Sequence, residues 1–185
     1  MTARVALTYR DYAALPDDGK RYEIHDGELH VMTGPTPLHQ TVLLNLATAL
    51  DGHVRARNLG RIWVAPLDVI LSDRPNETTI LQPDIVFLDR EHLSLTSDRA
   101  IEGPPTLAVE ILSPSTAVTD RTRKRALYAR YGVPHFWLVD PEAREIVAHV
   151  LRAGQYTAVA RVSGTEPVDL PPFVDLGLVP SSLWP

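Results

Sequence analysis

The chain has no cysteine. That removes disulfides, thiolate zinc sites and cysteine nucleophiles together, and it fits a reducing compartment. Nor does it have an apolar run of the ~18 residues that a membrane-spanning helix requires, and Met1 to Leu7 carries no long apolar leader. A cytoplasmic protein is the expectation. A glycine-rich loop ending in Lys-Ser/Thr, a His-Glu-x-x-His helix and a Gly-x-Ser-x-Gly elbow are all missing, which argues against a P-loop nucleotidase, a zincin and an α/β-hydrolase. Positive charge is in short supply too: the net charge is −5, against a strong nonspecific nucleic-acid binder. Lysine is rarest among the basic residues, with only Lys20 and Lys124 beside 16 arginines. Arginine cannot readily replace a compact ammonium, so Lys124 stands out, although a lysine on a solvated helix face is equally compatible with its spacing.

What is present is ordinary for a globular domain: 185 residues, 44% hydrophobic and 22% charged. One domain spanning residues 1–185 is expected, without internal repeat or linker. Thr8 caps a short helix over Tyr9 to Leu15, stopped at Pro16. Arg21 to His25 and Glu28 to Met32 alternate around Asp26-Gly27, a hairpin signal. Leu38 to Ala56 reads as the longest helix, with Val42, Leu43, Leu46, Ala49, Leu50 and Val54 on one apolar stripe. Arg61 to Leu71 reads as a strand with an irregularity at Pro66, followed by a polar loop over Ser72 to Thr79. Gln82 to Leu88 and Thr106 to Leu112 read as buried strands, and the three could form a meander. Ser115 or Thr116 caps a helix to about Tyr131, a crossover that leads into a parallel strand at Phe136 to Asp140. Glu145 to Leu151 and Gln155 to Val162 form a C-terminal hairpin. Phe173, Val174, Leu176, Leu178 and Trp184 are expected to pack as a closing tail. The pattern is mixed α/β.

The chemistry-bearing residues sit in two of the buried runs. Asp84 interrupts Pro83-Asp84-Ile85-Val86-Phe87, and Glu110 interrupts Leu107-Ala108-Val109-Glu110-Ile111-Leu112. A carboxylate in such a run is costly unless paired, hydrogen-bonded or metal-bound. Singly, each could be an edge residue or half of a salt bridge. Together, with the carbonyl of Ile111, they form a hard oxygen set suited to Mg²⁺, with Mn²⁺ as a substitute. Such an ion would acidify water and neutralise a phosphate. Asp120, Lys124 and Tyr128 fall four apart on one helix face, which brings a lysine within reach. Arg121, Arg123 and Arg125 could hold phosphates or form a solvated face. His39 lies at the start of the long helix, either as a satisfied helix-end histidine or in a functional role.

These pieces also occur in a recognisable order. Arg21-Tyr22-Glu23-Ile24-His25-Asp26-Gly27-Glu28-Leu29, Pro37-Leu38-His39-Gln40, Pro83-Asp84-Ile85-Val86, Val109-Glu110-Ile111-Leu112-Ser113-Pro114-Ser115-Thr116, Asp120-Arg121 with Lys124 and Leu127-Tyr128-Ala129, and Tyr131-Gly132-Val133 with Trp137-Leu138-Val139-Asp140-Pro141 together resemble the Uma-two family, restriction-endonuclease-like proteins of the PD-(D/E)xK superfamily. The resemblance covers about Tyr9 to Pro141. It implies a restriction-endonuclease-like core, with a central mixed β-sheet flanked by helices. It also implies a Mg²⁺-dependent DNA endonuclease, and cutting both strands with one such site per chain would favour a homodimer. Asp84 and Glu110 match the metal-binding acids, with Ile111 supplying its carbonyl. Leu112 stands where the superfamily's lysine would be, and Lys124 matches a lysine displaced onto the following helix. Glu23 matches a further carboxylate. His39, Gln40 and Arg121 would touch substrate. The competing expectation is a noncatalytic nucleic-acid-binding or scaffold protein that retains the fold. A hydrolase of non-nucleic phosphoesters is a third.

Overall fold

A computed structural model describes residues 6–185. The leader reading at Met1 to Leu7 therefore lies largely outside the described residues. No helix among those described is long and apolar enough to cross a membrane.

Among the described residues eleven strands form two mixed sheets. The larger has the order β11-β10-β9-β8-β6-β3. It comprises β3 (Gly60–Val64), β6 (Ile85–Asp89), β8 (Leu107–Ile111), β9 (His135–Asp140), β10 (Glu145–Arg152) and β11 (Gln155–Val162). Its neighbours are antiparallel except β8 and β9, which run parallel. The expected crossover is present, and β3, β6 and β8 pair antiparallel in the order of the expected meander, although the chain visits the second sheet between β3 and β6. The second sheet has the order β2-β1-β5-β4-β7, from β1 (Arg21–His25), β2 (Glu28–Met32), β4 (Val69–Ser72), β5 (Thr79–Leu81) and β7 (Ile101–Glu102). In the hairpin joining β1 to β2, Asp26 and Gly27 take φ of 55° and 77°, the left-handed pair that an Asp-Gly turn provides.

The larger sheet is the expected central mixed sheet, and the second takes in the N-terminal hairpin. The run Arg61 to Leu71 is two strands rather than one. Proline cannot donate to a ladder, and at Ala65-Pro66 the chain leaves β3 for β4 in the other sheet, with the Ala65 N–H donating to the Asp84 carbonyl. Thr79–Leu81, assigned in part to a polar loop, is a fully buried strand between β1 and β4.

The helix α1 (Tyr9–Ala13) is capped by Thr8. The long helix α2 (Pro37–Arg57) is capped by Thr36, with proline at its first position and left-handed Asn58 at its end. Val42, Leu43, Leu46, Leu50 and Val54 pack onto one face of the larger sheet, against Ile85, Phe87, Val109, Ile111 and Trp137. Phe173, Leu178 and Leu183 close this core, with Leu176 and Trp184 half-buried beside them. Val174 is not part of it: it is 72% exposed. The other face packs Val86, Leu88, Ala108 and Leu112 against Leu127 and Tyr128. These last two belong to a helical run formed by α3 (Ala117–Thr119), a π-helical turn (Asp120–Lys124) and α4 (Arg125–Arg130). Thr116 occupies the position before this run, but its side chain makes no capping bond to the helix N–H groups.

Candidate metal centre

The site grows out of strand parity. Successive side chains of a strand point to opposite faces. On β6 and β8 the odd positions Ile85, Phe87, Val109 and Ile111 face α2. The even positions Val86, Leu88 and Ala108 face the α3–α4 run, and Asp84 and Glu110 share their parity. Ile85 pairs with Val109, so the register places Asp84 opposite Glu110 at the end of the sheet.

Both acids are buried and held. Asp84 Oδ2 accepts the Ile111 N–H at 2.7 Å and lies 3.2 Å from His39 Nε2. Glu110 Oε1 accepts the Tyr128 hydroxyl at 2.7 Å. Lys124 Nζ is 3.2 Å from both Glu110 oxygens. It is also 3.0 Å from Glu23 Oε1 and 3.6 Å from Asp120 Oδ1. Lys124 thus reaches Glu110 and Glu23 from the π-helical turn. Glu23 is held in turn by the Gln82 N–H at 2.9 Å and by His25 Nε2 at 2.8 Å.

Five charged residues are therefore buried together: Glu23, Asp84, Glu110, Asp120 and Lys124. Burial pushes the Glu110 carboxyl well above its ordinary range, and the neighbouring acids Asp120, Asp84 and Glu23 add to this against the pull of Lys124. Burial raises Asp120 as well. In Glu23 burial works upward but loses to Lys124, His25 and the Gln82 amide, which hold the group at about 2. Lys124, opposed by burial, is pushed well above its ordinary value by Glu110, Glu23, Asp120 and Asp84, and stays charged.

A polar cavity of about 30 Å³ opens here, with room for about two waters. Asp84, Glu110, Ile111, Lys124, Asp120 and His39 line it. The oxygens are hard donors, and four acids facing one ammonium leave negative charge for a cation to balance, so the donor set fits Mg²⁺ or Mn²⁺ in chemistry. Among the described residues no three His, Asp or Glu side chains are already spaced around one metal position. The acids are drawn instead around the Lys124 ammonium.

Two expected residues are not gathered. Gln40 is exposed and does not line the cavity. Arg121 binds Asp140 at 2.6 Å. Arg123 binds Glu28 at 2.9 Å, and Arg125 donates to the Tyr156 carbonyl at 3.0 Å. Conversely, Asp120, Tyr128, Gln82, His25 and Arg21 belong to the site or its support and were not singled out as functional. The four-residue spacing of Asp120, Lys124 and Tyr128 was one signal, and the motifs that hold Arg21, His25 and Asp120 were another; Gln82 had neither.

Comparison with known proteins bears on the fold and on the family. The crystal structure of a "putative nuclease belonging to DUF820" from Anabaena variabilis ATCC 29413 superposes with a TM-score of 0.72 at 18% identity, over 96% of this chain and 97% of that one. At that identity the likeness establishes the fold. No curated protein matches the chain. The model of the Uma2 family, described as "Putative restriction endonuclease", matches residues 9–181, nearly the whole chain, and the protein belongs to that family.

Proposed function

We propose that the protein is a Mg²⁺-dependent endonuclease that hydrolyses phosphodiester bonds of DNA. The observation that carries this reading is the charge imbalance at the end of the sheet: Glu23, Asp84, Glu110 and Asp120 are buried around the single ammonium of Lys124. Carboxylates are not gathered at that cost for packing alone. Membership of a family described as a restriction endonuclease supports the same reading.

Asp84, Glu110 and the Ile111 carbonyl would hold the ion, with Glu23 beside them as a further carboxylate. The bound ion would supply Lewis acidity, lowering the pKa of water and neutralising phosphate charge. The Ile111 N–H and His39 fix Asp84 Oδ2. Tyr128 and Lys124 fix the Glu110 carboxylate. An ammonium has three donors, and Lys124 can turn one toward a phosphate oxygen as charge develops there. Cutting both strands of a duplex with one such site per chain calls for a symmetric pair of chains.

The test is Asp84→Asn, which keeps an acceptor for the Ile111 N–H. Mg²⁺-dependent cleavage of plasmid DNA should fall by more than the ~10–100-fold that loss of a supporting partner causes, with the fold unchanged. Crystals soaked in Mn²⁺ should show an anomalous peak between Asp84 and Glu110.

A noncatalytic reading has one observation in its favour: Lys124 already contacts Glu23 and Glu110 as an internal counter-ion. In that case the cluster ties β1, β8 and the α3–α4 run together as a scaffold. The wild-type chain would then cleave neither DNA nor RNA, and Asp84→Asn would alter stability alone.

A further inference from the structure

We infer that Arg21 is a substrate-binding residue, whose guanidinium takes a backbone phosphate of the nucleic acid at the mouth of the cavity. The inference rests on the nuclease reading of the same site. Arg21 begins β1, is only half-buried, and lines the cavity with Asp84, Glu110 and Lys124. Its Nε donates to Gln82 Oε1 at 2.9 Å and its Nη2 to the Gln82 carbonyl at 3.1 Å. Gln82 is itself anchored, donating to Asp68 Oδ1 at 2.8 Å and to the Tyr12 hydroxyl at 3.3 Å. The fork is thus aimed by a fixed support, and its remaining N–H groups are left for another acceptor.

Both acceptors are neutral. Arg121, Arg123 and Arg130 are each neutralised by a carboxylate, from Asp140, Glu28 and Asp26 respectively. Arg21 has no carboxylate within ion-pair distance among the described residues. It is a preorganised positive fork beside a cavity that is otherwise rich in acids. A phosphodiester approaching that cavity meets negative charge, and a guanidinium at the rim offsets it with geometry matched to two phosphate oxygens. The competing role for Arg21 is a brace, holding Gln82 so that its N–H can hold Glu23.

The experiment measures binding of a fluorescently labelled DNA duplex by wild-type, Arg21→Gln and Arg21→Lys chains, in Ca²⁺ and across a salt series, with thermal melts alongside. If Arg21 holds a phosphate, Arg21→Gln weakens binding and reduces the slope of log K against log salt by about 1. Arg21→Lys keeps the slope, and in Mg²⁺ Arg21→Gln raises KM more than it lowers kcat. A wild-type chain that binds and cleaves, with an unchanged slope in Arg21→Gln, overturns the inference and leaves the nuclease reading standing. A lowered melting temperature with an unchanged slope assigns the brace and also overturns it. A wild-type chain that neither binds nor cleaves nucleic acid overturns both.

Discussion

Strands β6 and β8 have two faces, and the same two strands serve opposite purposes on them. Toward α2 they present Ile85, Phe87, Leu107, Val109 and Ile111, an unbroken apolar surface. Toward the α3–α4 run they present Val86, Leu88, Ala108 and Leu112, with Asp84 and Glu110 at the sheet's end. The first face gains stability from burial, at roughly 25 cal/mol per Å² of apolar area. The second accepts desolvated charge, which a fold under selection for stability alone would replace with hydrophobes. On the nuclease reading the second face is the functional one, and mutations on the two faces should then fail in different ways.

The largest effect is expected from Lys124→Met. It removes the one buried cation among Glu23, Asp84, Glu110 and Asp120. Breaking a buried ion pair on one side costs about 3–5 kcal/mol, so urea denaturation near neutral pH should show a loss of that order, along with loss of cleavage. Mild acid should recover part of it, because Glu110 and Asp120 are the acids pushed upward and the first to take protons. A loss below about 1 kcal/mol would break the comparison, since it would mean that the acids are already neutral in the resting chain.

The control lies on the other face. Leu46 is fully buried in α2 against the sheet. Leu46→Ala should cost about 2–5 kcal/mol through lost transfer energy and a cavity. Unlike Lys124→Met, that loss should be the same at every pH, and the fraction that remains folded should keep its specific activity. A pH-dependent loss would show that the two faces are coupled through the strands.

Much of this division was legible in the sequence, and what was missed has a physical pattern. Local signals carried the Asp-Gly hairpin, the stripe of α2, the buried runs and the crossover helix. Asp84, Glu110, Lys124, Glu23 and His39 do converge. The second sheet was not legible, because which strand pairs with which is decided by tertiary contacts, and Thr79–Leu81 is too short to show a period. Gln40 and Arg121 went astray for a geometric reason. Each follows a cavity-lining residue, His39 or Asp120, by one position on a helical turn, and neighbours one position apart do not share a face. Arg21 and Gln82 were hidden because nothing local to either marks a bond across 61 residues of chain.

The smallest effect sharpens the comparison most, because it reads the charge state of the site directly. Glu110, raised by burial, keeps its proton in the folded chain at pH values where the unfolded chain, with an ordinary value of 4.5, has lost it. The folded state then binds more protons, so this group makes stability fall as pH rises from about 4.5 toward its folded value, by at most about 1.4 kcal/mol per pH unit. Asp120 works in the same direction. Glu23, held at about 2, stays ionised in both states above the ordinary range and adds no slope there. His135 and His149, lowered mainly by burial, pull the opposite way, so the raw slope mixes signs. The difference between wild-type and Glu110→Gln isolates the carboxyl. In EDTA, urea midpoints above the ordinary carboxylate value of 4.5 should fall more steeply with rising pH in the wild-type chain than in Glu110→Gln. Millimolar Mg²⁺ should narrow that gap, because a cation favours the ionised acid and releases its proton. Parallel slopes in EDTA would mean that Glu110 is ionised throughout, with Lys124 as sufficient partner, and would favour the scaffold reading over the nuclease.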